Sequence, residues 1–279
     1  MKRNQHTLIQ PISYQGNGLH SGCPVSMTLR PALAGSGIRF QRTDLPGSAP
    51  IPAAAEYVTN TLRATTLENG SAKVSTVEHV LSALYAMQID NCLIEMNAAE
   101  PPVADGGSLT FTQMIRRAGI LTQQEMAHVL SLPHDFSVYE GPKFLVALPY
   151  PCLRITYTSM NSHPMLGTQV LDIVITPESY EKEIAGARTI GFTWELEALK
   201  KLGLGKGGTV DNAVVYSKTG CLSKLHWPDE LVRHKILDIL GDISLVGPVN
   251  AHIIAVLSSH KLNAALASKL LDFRRKEEL

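Results

Sequence analysis

The chain has 279 residues, of which 44% are hydrophobic and 18% charged, so it can form the core of one or two domains. Its 25 Lys and Arg residues balance 25 Asp and Glu residues, which excludes a global electrostatic attraction to nucleic acid or to an anionic membrane. The cysteines are far apart and form no C-x-x-C pair, so we expect neither a disulfide framework nor a cysteine zinc site. No targeting segment or spanning stretch is evident, and we expect a cytoplasmic protein without stable membrane insertion.

The first half of the chain predicts short strands and two helices. "VSMTLRP" and "GIRFQRTDL" are typical of strands, and "NCLIEMN" predicts another. The helix "STVEHVLSALYAM" between them begins with a capping-box pattern, in which Ser75 is followed three residues later by Glu78. A second helix, "LTFTQMIRRAG", is expected to end at Gly119.

The second half repeats this theme after a link predicted at "LTQQEMAHVLSLP". We expect an N-terminal domain over residues 1–123 and a C-terminal domain over 124–279. Strands are predicted at "FLVALP", "LRITYTS", "TQVLDIVI" and "AHIIAVLSS", and helices at "TWELEALKKLG" and "ELVRHKILDILGDISL". The fold class expected is α+β, with helices layered against mixed sheets.

Two stretches suggest an internal duplication. "TVEHVLSALYAMQIDNCLIEM" and "LVRHKILDILGDISLVGPVNAHIIAVL" each combine a helix that carries a histidine near its start with a strand that begins near an asparagine. His79 and His234 would then occupy equivalent positions. The likeness is weak by sequence alone, and a chance similarity stays open.

The helix at Glu230 to Leu245 carries a candidate half of a metal site. Residues at i and i+4 share a helix face, so His234 and Asp238 can point at one atom, and Asp242 continues the row. An imidazole and a carboxylate at this spacing can ligate a divalent metal. For an isolated H-x-x-x-D pattern, however, a His–Asp ion pair on a partly exposed face is the commoner explanation.

"STVEH" supplies candidates for the other half. His79 lies in the first helical turn, where the positive end of the helix dipole favours the neutral imidazole that a metal needs. Glu78 could take a proton from a metal-bound water, although a capping box also explains a glutamate there. Two histidines and one aspartate leave a fourth position open, as in catalytic zinc sites of hydrolases.

The sequence resembles the UDP-3-O-acyl-N-acetylglucosamine deacetylases, zinc enzymes of lipid A biosynthesis. The similarity runs nearly end to end, through "GNGLHSG", "TLRPA", "IRFQRTDL", "ATTL", "STVEHVLSAL", "IDNCLIEMN", "ADG", "ARTIGF", "LGKGGTVDNAVV", "RHKILDILGD" and "HKLN". It implies a two-domain β-α-α-β sandwich with the active site between the domains. The substrate implied is UDP-3-O-acyl-N-acetylglucosamine, which loses its acetyl group as acetate.

The resemblance also implies roles for individual side chains. The metal ligands would be His79, His234 and Asp238, holding one zinc ion, although ferrous iron also suits such ligands. Glu78 would be the general base. The other catalytic residues implied are Thr189 as an oxyanion donor, His260 as a cationic partner of the intermediate, and Asp242 as the carboxylate that keeps His260 protonated.

Substrate contacts follow from the same resemblance. Lys235 points about 100° around the helix from His234, away from the metal face, and would meet phosphate oxygens of the UDP group, as would Lys143. A β-α-β insert near 189–217 would form the acyl passage. The candidate apolar contacts are Leu19, Ile190, Phe192 and Val210, with Leu199, Leu204 and Val214 as further lining. Solvated lysines and an ordinary core-facing stripe remain the alternatives.

Four positions depart from the family pattern: Asn17, Asn161, Ile190 and Ser259. They leave the catalytic set intact and affect the acyl and nucleotide contacts, because Asn161 stands where an aromatic residue commonly stacks on uracil. A zinc amidohydrolase acting on another N-acetylated substrate is therefore an alternative. A catalytically idle nucleotide-sugar-binding paralogue is another. We expect a monomer.

Overall fold

A computed structural model describes residues 3–277 and has a mixed α+β fold. The helices of these residues are α1 (Glu78–Ala86), α2 (Leu109–Ala118), α3 (Pro177–Glu183), α4 (Leu196–Lys201), α5 (Glu230–Ile243) and α6 (His260–Glu277). The strands are β1 (Asn4–Leu8), β2 (Ile12–Asn17), β3 (Pro24–Pro31), β4 (Ile38–Arg42), β5 (Ile51–Pro52), β6 (Val58–Asn60), β7 (Thr66–Asn69), β8 (Ala72–Val74), β9 (Cys92–Met96), β10 (Ile120–Met126), β11 (Leu130–Ser131), β12 (Phe136–Glu140), β13 (Lys143–Pro149), β14 (Leu153–Met160), β15 (Thr168–Val174), β16 (Thr189–Phe192), β17 (Ala213–Tyr216) and β18 (Val249–Val256).

The N-terminal sheet has the strand order β2-β3-β9-β4-β5. β9 is antiparallel to β3 and parallel to β4, since it enters between them after α1. Its strands alternate in burial, as in β3, where Val25, Met27 and Leu29 are buried and their neighbours are partly exposed. Only one face of this sheet therefore covers the core.

The C-terminal sheet repeats this topology with the order β12-β13-β18-β14-β15. β18 follows α5 and enters between two earlier strands, antiparallel to β13 and parallel to β14. The short β11 also pairs with β18. The shared order and directions agree with the predicted internal duplication, with α1 and α5 in equivalent places.

Four helices, α1, α2, α5 and α6, pack against one another and against the two sheets. α1 packs against α5, α2 packs against α1 and β2, and α6 packs against α5, β12 and β13. The predicted β-α-α-β layering is confirmed. α1 and α5 cross closely at Gly241, where an added Cβ would lie 2.2 Å from the carbonyl oxygen of Glu78. This crossing brings the two sequence fragments of the candidate site together.

Local details differ from the predictions at three places. The prediction of a capping box at Ser75 is wrong. Thr76 has a positive φ of 55°, and the Ser75 hydroxyl donates to the carbonyl of Ala99 instead. The predicted link at 121–133 is partly strand, since β10 pairs antiparallel with β1. The helix α3, whose Thr176 forms a capping box with Ser179, was not predicted.

The insert has the β-α-β form that the resemblance implies. β16 and β17 pair in parallel, and α4 lies between them in sequence. Among the described helices, none is both long and apolar enough to cross a membrane.

Candidate active site

His79, His234 and Asp238 meet where α1 crosses α5. All three side chains are buried, and one ligand atom from each lies within 4.8 Å of the others. The helix α5 presents His234 and Asp238 one turn apart, as the i, i+4 spacing predicts. The two imidazole centroids are 5.2 Å apart. These residues could hold a divalent cation.

Backbone carbonyl groups fix the tautomers of both histidines. The Nδ1 of His79 lies 3.2 Å from the Gly107 carbonyl oxygen, and the Nδ1 of His234 lies 3.0 Å from that of Ala187. A carbonyl oxygen only accepts, so each Nδ1 carries the proton and each Nε2 keeps a free lone pair. The Nε2 of His234 is 3.4 Å from Asp238 Oδ1, close to the separation of about 3.4 Å expected for two ligands at zinc–ligand distances of about 2.0–2.1 Å.

Burial and neighbouring charges together favour the metal-binding protonation states of these groups. It lowers the pKa of His79 to about 3 and also lowers the pKa of His234. For Asp238, burial opposes the charged form, but Lys235 and His234 outweigh it and lower its pKa. Neutral imidazoles and an ionised carboxylate are the forms that bind a cation.

Lys235 lies closer to this group than the sequence suggested. Its Nζ is 2.8 Å from Asp238 Oδ2, so the expectation that it points away from the metal face is wrong. Residues at i and i+3 are neighbours on a helix, and a long lysine side chain can bend toward the carboxylate. Its side chain is 32% exposed and also lines the cavity described below. Phosphate binding by Lys235 stays a prediction.

Glu78 is buried beside the metal-ligand group. Its Oε2 accepts a hydrogen bond from the backbone N–H of Thr65 at 3.1 Å, and its Oε1 lies 3.8 Å from His260 Nε2. Burial and the neighbouring Asp242 and Asp238 charges raise the pKa of Glu78 to about 8, although His260 acts in the opposite direction. A cation held nearby would favour the carboxylate form, in which Glu78 can accept a proton.

His260 is held by the carboxylate that the sequence assigned to it. Its Nδ1 lies 2.8 Å from Asp242 Oδ2, so its Nε2 faces Glu78. Burial alone would lower the pKa of His260, but Asp242, Glu78 and Asp238 raise it to about 10. These carboxylates therefore favour the cationic form of His260.

Two uncharged residues complete the support of Asp242 and were missed by the sequence reasoning. The hydroxyl of Thr65 donates to Asp242 Oδ1 at 2.5 Å, and the amide of Asn263 donates to Oδ2 at 2.8 Å. Both belong to motifs quoted above, "ATTL" and "HKLN". Their place in these motifs is the sequence signal that could have identified them.

A cavity of about 760 Å³ opens in front of these groups. Asp242 lies behind His260, and the other predicted site residues all line this cavity: Leu19, Glu78, His79, Lys143, Thr189, Ile190, Phe192, Val210, His234, Lys235, Asp238 and His260. Leu199 also lines it, whereas Leu204 is not among its lining residues and Val214 is fully buried in a separate small cluster. The first residue of β16, Thr189, is fixed by its backbone N–H, which donates to the Gly106 carbonyl at 2.8 Å.

His20 is a further residue of the cavity wall that the sequence reasoning missed. It follows Leu19 in "GNGLHSG", and burial lowers its pKa. Both of its ring nitrogens are buried without a hydrogen-bond partner among the described residues. The cavity therefore presents an uncharged polar ring next to its apolar lining.

The site combines two histidines and an aspartate that could hold a metal with the carboxylate of Glu78 and the imidazole of His260. This combination suits metal-assisted hydrolysis. The family model of the UDP-3-O-acyl N-acetylglycosamine deacetylases matches residues 5–272. The chain is 44% identical over 276 residues to the UDP-3-O-acyl-N-acetylglucosamine deacetylase of Chlamydia felis, covering 98% of each chain. It is 42% identical over 271 residues to the enzyme of the same name from Myxococcus xanthus, covering 96% of this chain and 86% of the relative. This protein belongs to the UDP-3-O-acyl N-acetylglycosamine deacetylase family.

Proposed function

We propose that this protein is a zinc-dependent hydrolase that removes acetate from UDP-3-O-acyl-N-acetylglucosamine in lipid A biosynthesis, in the cytoplasm. The observation that carries the proposal is the convergence of three candidate metal ligands, Glu78 and His260 on one cavity. The relatives named as deacetylases support the substrate. Geometry alone supports only the class of reaction.

His79, His234 and Asp238 would hold one zinc ion, and ferrous iron would fit the same ligands. When bound, the ion supplies a Lewis acid that acidifies a water molecule and polarises the acetyl carbonyl. Lys235 favours the ionised form of Asp238, and a backbone carbonyl holds each imidazole in its orientation. The ligand set therefore needs little rearrangement to bind.

Glu78 and His260 would carry out the proton transfers. Glu78 takes a proton as water adds to the acetyl carbon, and Thr189 donates a hydrogen bond to the oxygen that becomes negative. The C–N bond then breaks, the amine leaves with a proton, and the acetyl group leaves as acetate. The cationic His260, 3.8 Å from Glu78, stabilises the negative charge and can protonate the amine.

The remaining cavity would accommodate the rest of the substrate. Its wall from the insert supplies Ile190, Phe192 and Val210 for the acyl chain, and Leu19 lines it from the N-terminal half. Lys143 and Lys235 would face phosphate oxygens. We expect the protein to act as a monomer.

Acetate release from purified UDP-3-O-acyl-N-acetylglucosamine tests this function. We expect turnover on this compound, and at least a 100-fold lower kcat/KM on the same acylated sugar without the UDP group, if two lysine–phosphate contacts are lost at about 1.5–3 kcal/mol each. Equal turnover on both would favour the alternative of a zinc amidohydrolase with another N-acetylated substrate. Absence of turnover by folded, zinc-loaded protein on either would favour the idle nucleotide-sugar-binding paralogue.

The substitution Asp242→Asn tests how His260 is kept cationic. Without the Asp242 charge, the pKa of His260 falls, so the alkaline limb of the kcat/KM profile should move to lower pH by about one unit or more. The measurement is the pH profile at constant zinc content. Asp272→Asn, on the exposed side of α6, is the matched control and should leave the profile unchanged. An alkaline limb that does not move in Asp242→Asn would contradict the role of Asp242.

A further inference from the structure

α4 and the 3-10 turn before it carry apolar side chains that the protein does not cover. Neither segment contains a buried residue, although a surface helix normally buries its apolar stripe. Leu196 is 43% exposed and Leu202 is 60% exposed. Leu199, between them, lines the cavity wall. The helix therefore serves as a wall for the cavity while its outer leucines face solvent.

Other exposed apolar residues surround the same opening. Leu196, Val210 and Leu222 line the cavity and are nevertheless 43%, 51% and 59% exposed, which places them at its mouth. Trp194 is 47% exposed and is adjacent in sequence to two lining residues. A group of this kind differs from the single exposed apolar residues that most surfaces carry. We call Trp194, Leu196, Leu202, Val210 and Leu222 the mouth surface.

The Trp194 indole is 47% exposed and packs against two other rings. Its ring stacks on Phe192 with a centroid separation of 4.7 Å and on His163 at 6.1 Å. Phe192 and His163 are only 6.5 Å apart, so they lie on the same side of the indole and not on opposite faces. A partly exposed tryptophan that is supported by other rings can enter the boundary between water and an apolar phase.

Lysines accompany the mouth surface. Residues 193–224 contain five lysines and three acidic residues, in a chain that is neutral overall. Glu197 pairs with Lys200 inside this range, and Glu195 pairs with Arg63 outside it, so the range has an excess of two lysines over acids (five minus three). Lys201 and Lys206 are exposed beside Leu202. The surface therefore combines apolar side chains with local positive charge.

We infer that the mouth surface docks onto a bilayer that contains anionic phospholipids, with the cavity opening toward the lipid. Leucines and tryptophan beside lysines are the composition of interfacial membrane contacts. A second copy of the chain fits less well, because a two-fold contact would bring like-charged lysines together. Docking is separate from the proposed chemistry. If the proposed function holds, docking would let an acyl chain pass between the bilayer and the cavity.

Tryptophan fluorescence measures the docking directly without substrate. The chain has two tryptophans, and Arg233 lies over the ring of Trp227. In the variant Trp227→Phe, Trp194 is the sole tryptophan and reports on docking. Titration with vesicles of phosphatidylcholine and phosphatidylglycerol should shift its emission to shorter wavelength. Phosphatidylcholine alone should give much weaker binding, and added salt should weaken binding to the mixed vesicles.

Two pairs of variants locate the contact. The double variant Lys201→Gln/Lys206→Gln should weaken binding roughly five-fold for each lysine removed. The double variant Lys182→Gln/Lys276→Gln removes the same charge elsewhere on the surface and should have little effect. Leu202→Ser should weaken binding about ten-fold. Its control is Leu33→Ser, because Leu33 is 84% exposed and lies in the turn between β3 and β4.

Three results would overturn the inference. The first is no emission shift and no co-sedimentation with mixed vesicles. The second is binding that all four variants retain equally, which would place the contact elsewhere. The third is a wild-type dimer that Leu202→Ser converts to a monomer, since the mouth surface would then be an interface between copies. None of these outcomes bears on acetate release, which is measured with soluble substrate.

Discussion

Glu78→Gln is expected to lower kcat for deacetylation by about 10²–10⁴-fold while the protein folds and binds zinc normally. The substitution keeps the shape of the side chain, and its amide oxygen can still accept from the Thr65 N–H, which lies 3.1 Å from Glu78 Oε2. It removes the ability to take a proton. The three candidate metal ligands are untouched, so the loss should appear in kcat more than in KM. Steady-state kinetics with metal analysis of the same preparation is the measurement.

Glu95→Gln is the matched control for this variant. Glu95 lies on β9 and pairs with Arg30 at a partly exposed site of the N-terminal sheet, so we expect turnover close to wild type. Turnover near wild type in Glu78→Gln, with zinc retained, would reject Glu78 as the general base. Loss of zinc from Glu78→Gln would instead indicate that Glu78 supports the ligand set.

Gly241→Ala is expected to destabilise the protein and to lower turnover together. The added Cβ would lie 2.2 Å from the carbonyl oxygen of Glu78 and 2.6 Å from its Cα. The clash is with backbone, which cannot rotate away, so α1 and α5 must separate. Overpacking costs about 1–3 kcal/mol, occasionally more, and a backbone clash at a helix crossing should reach the upper part of that range. Separation would also move His79 away from His234.

The measurements are thermal unfolding and zinc affinity of the folded variant. Gly220→Ala is the control, because its added Cβ would approach no closer than 3.7 Å, to the Ser217 hydroxyl. We expect Gly220→Ala to unfold and bind zinc as wild type does. Wild-type stability and zinc affinity in Gly241→Ala would show that the helices do not cross as described.

The local parts of the site were predictable from the sequence. The i, i+4 spacing of His234 and Asp238 lies within one helix, where geometry is set by backbone hydrogen bonds and is independent of the rest of the fold. The same holds for the end of α2, where Gly119 adopts a φ of 74°.

The non-local parts were not predictable. Thr65 meets Asp242 across 177 positions of the sequence, and no pattern within either segment indicates that contact. The capping box failed for a related reason, because the pattern at Ser75 is local whereas the actual partner of Glu78 is the Thr65 backbone. Lys235 was placed by an ideal helical wheel, which describes Cα directions and not where a flexible side chain bends.

The family resemblance supplied residue roles that neither hydrophobic periodicity nor helix geometry indicates. His260 follows a strand and begins α6, and no local signal distinguishes it from a surface histidine. The structure places it beside Asp242 and Glu78, which makes its assigned role chemically reasonable. The acyl-chain preference is less determined, because Ile190 departs from the family pattern and lines the cavity.

The central claim is that a zinc ion held by His79, His234 and Asp238 is required for deacetylation. Its most direct test is acetate release from UDP-3-O-acyl-N-acetylglucosamine by protein stripped with a chelator, repeated after about one equivalent of zinc is restored. We expect stripping to abolish activity and zinc to restore it in the wild type but not in His234→Ala. Full activity of the stripped protein, or no activity in folded protein with zinc bound, would contradict the account.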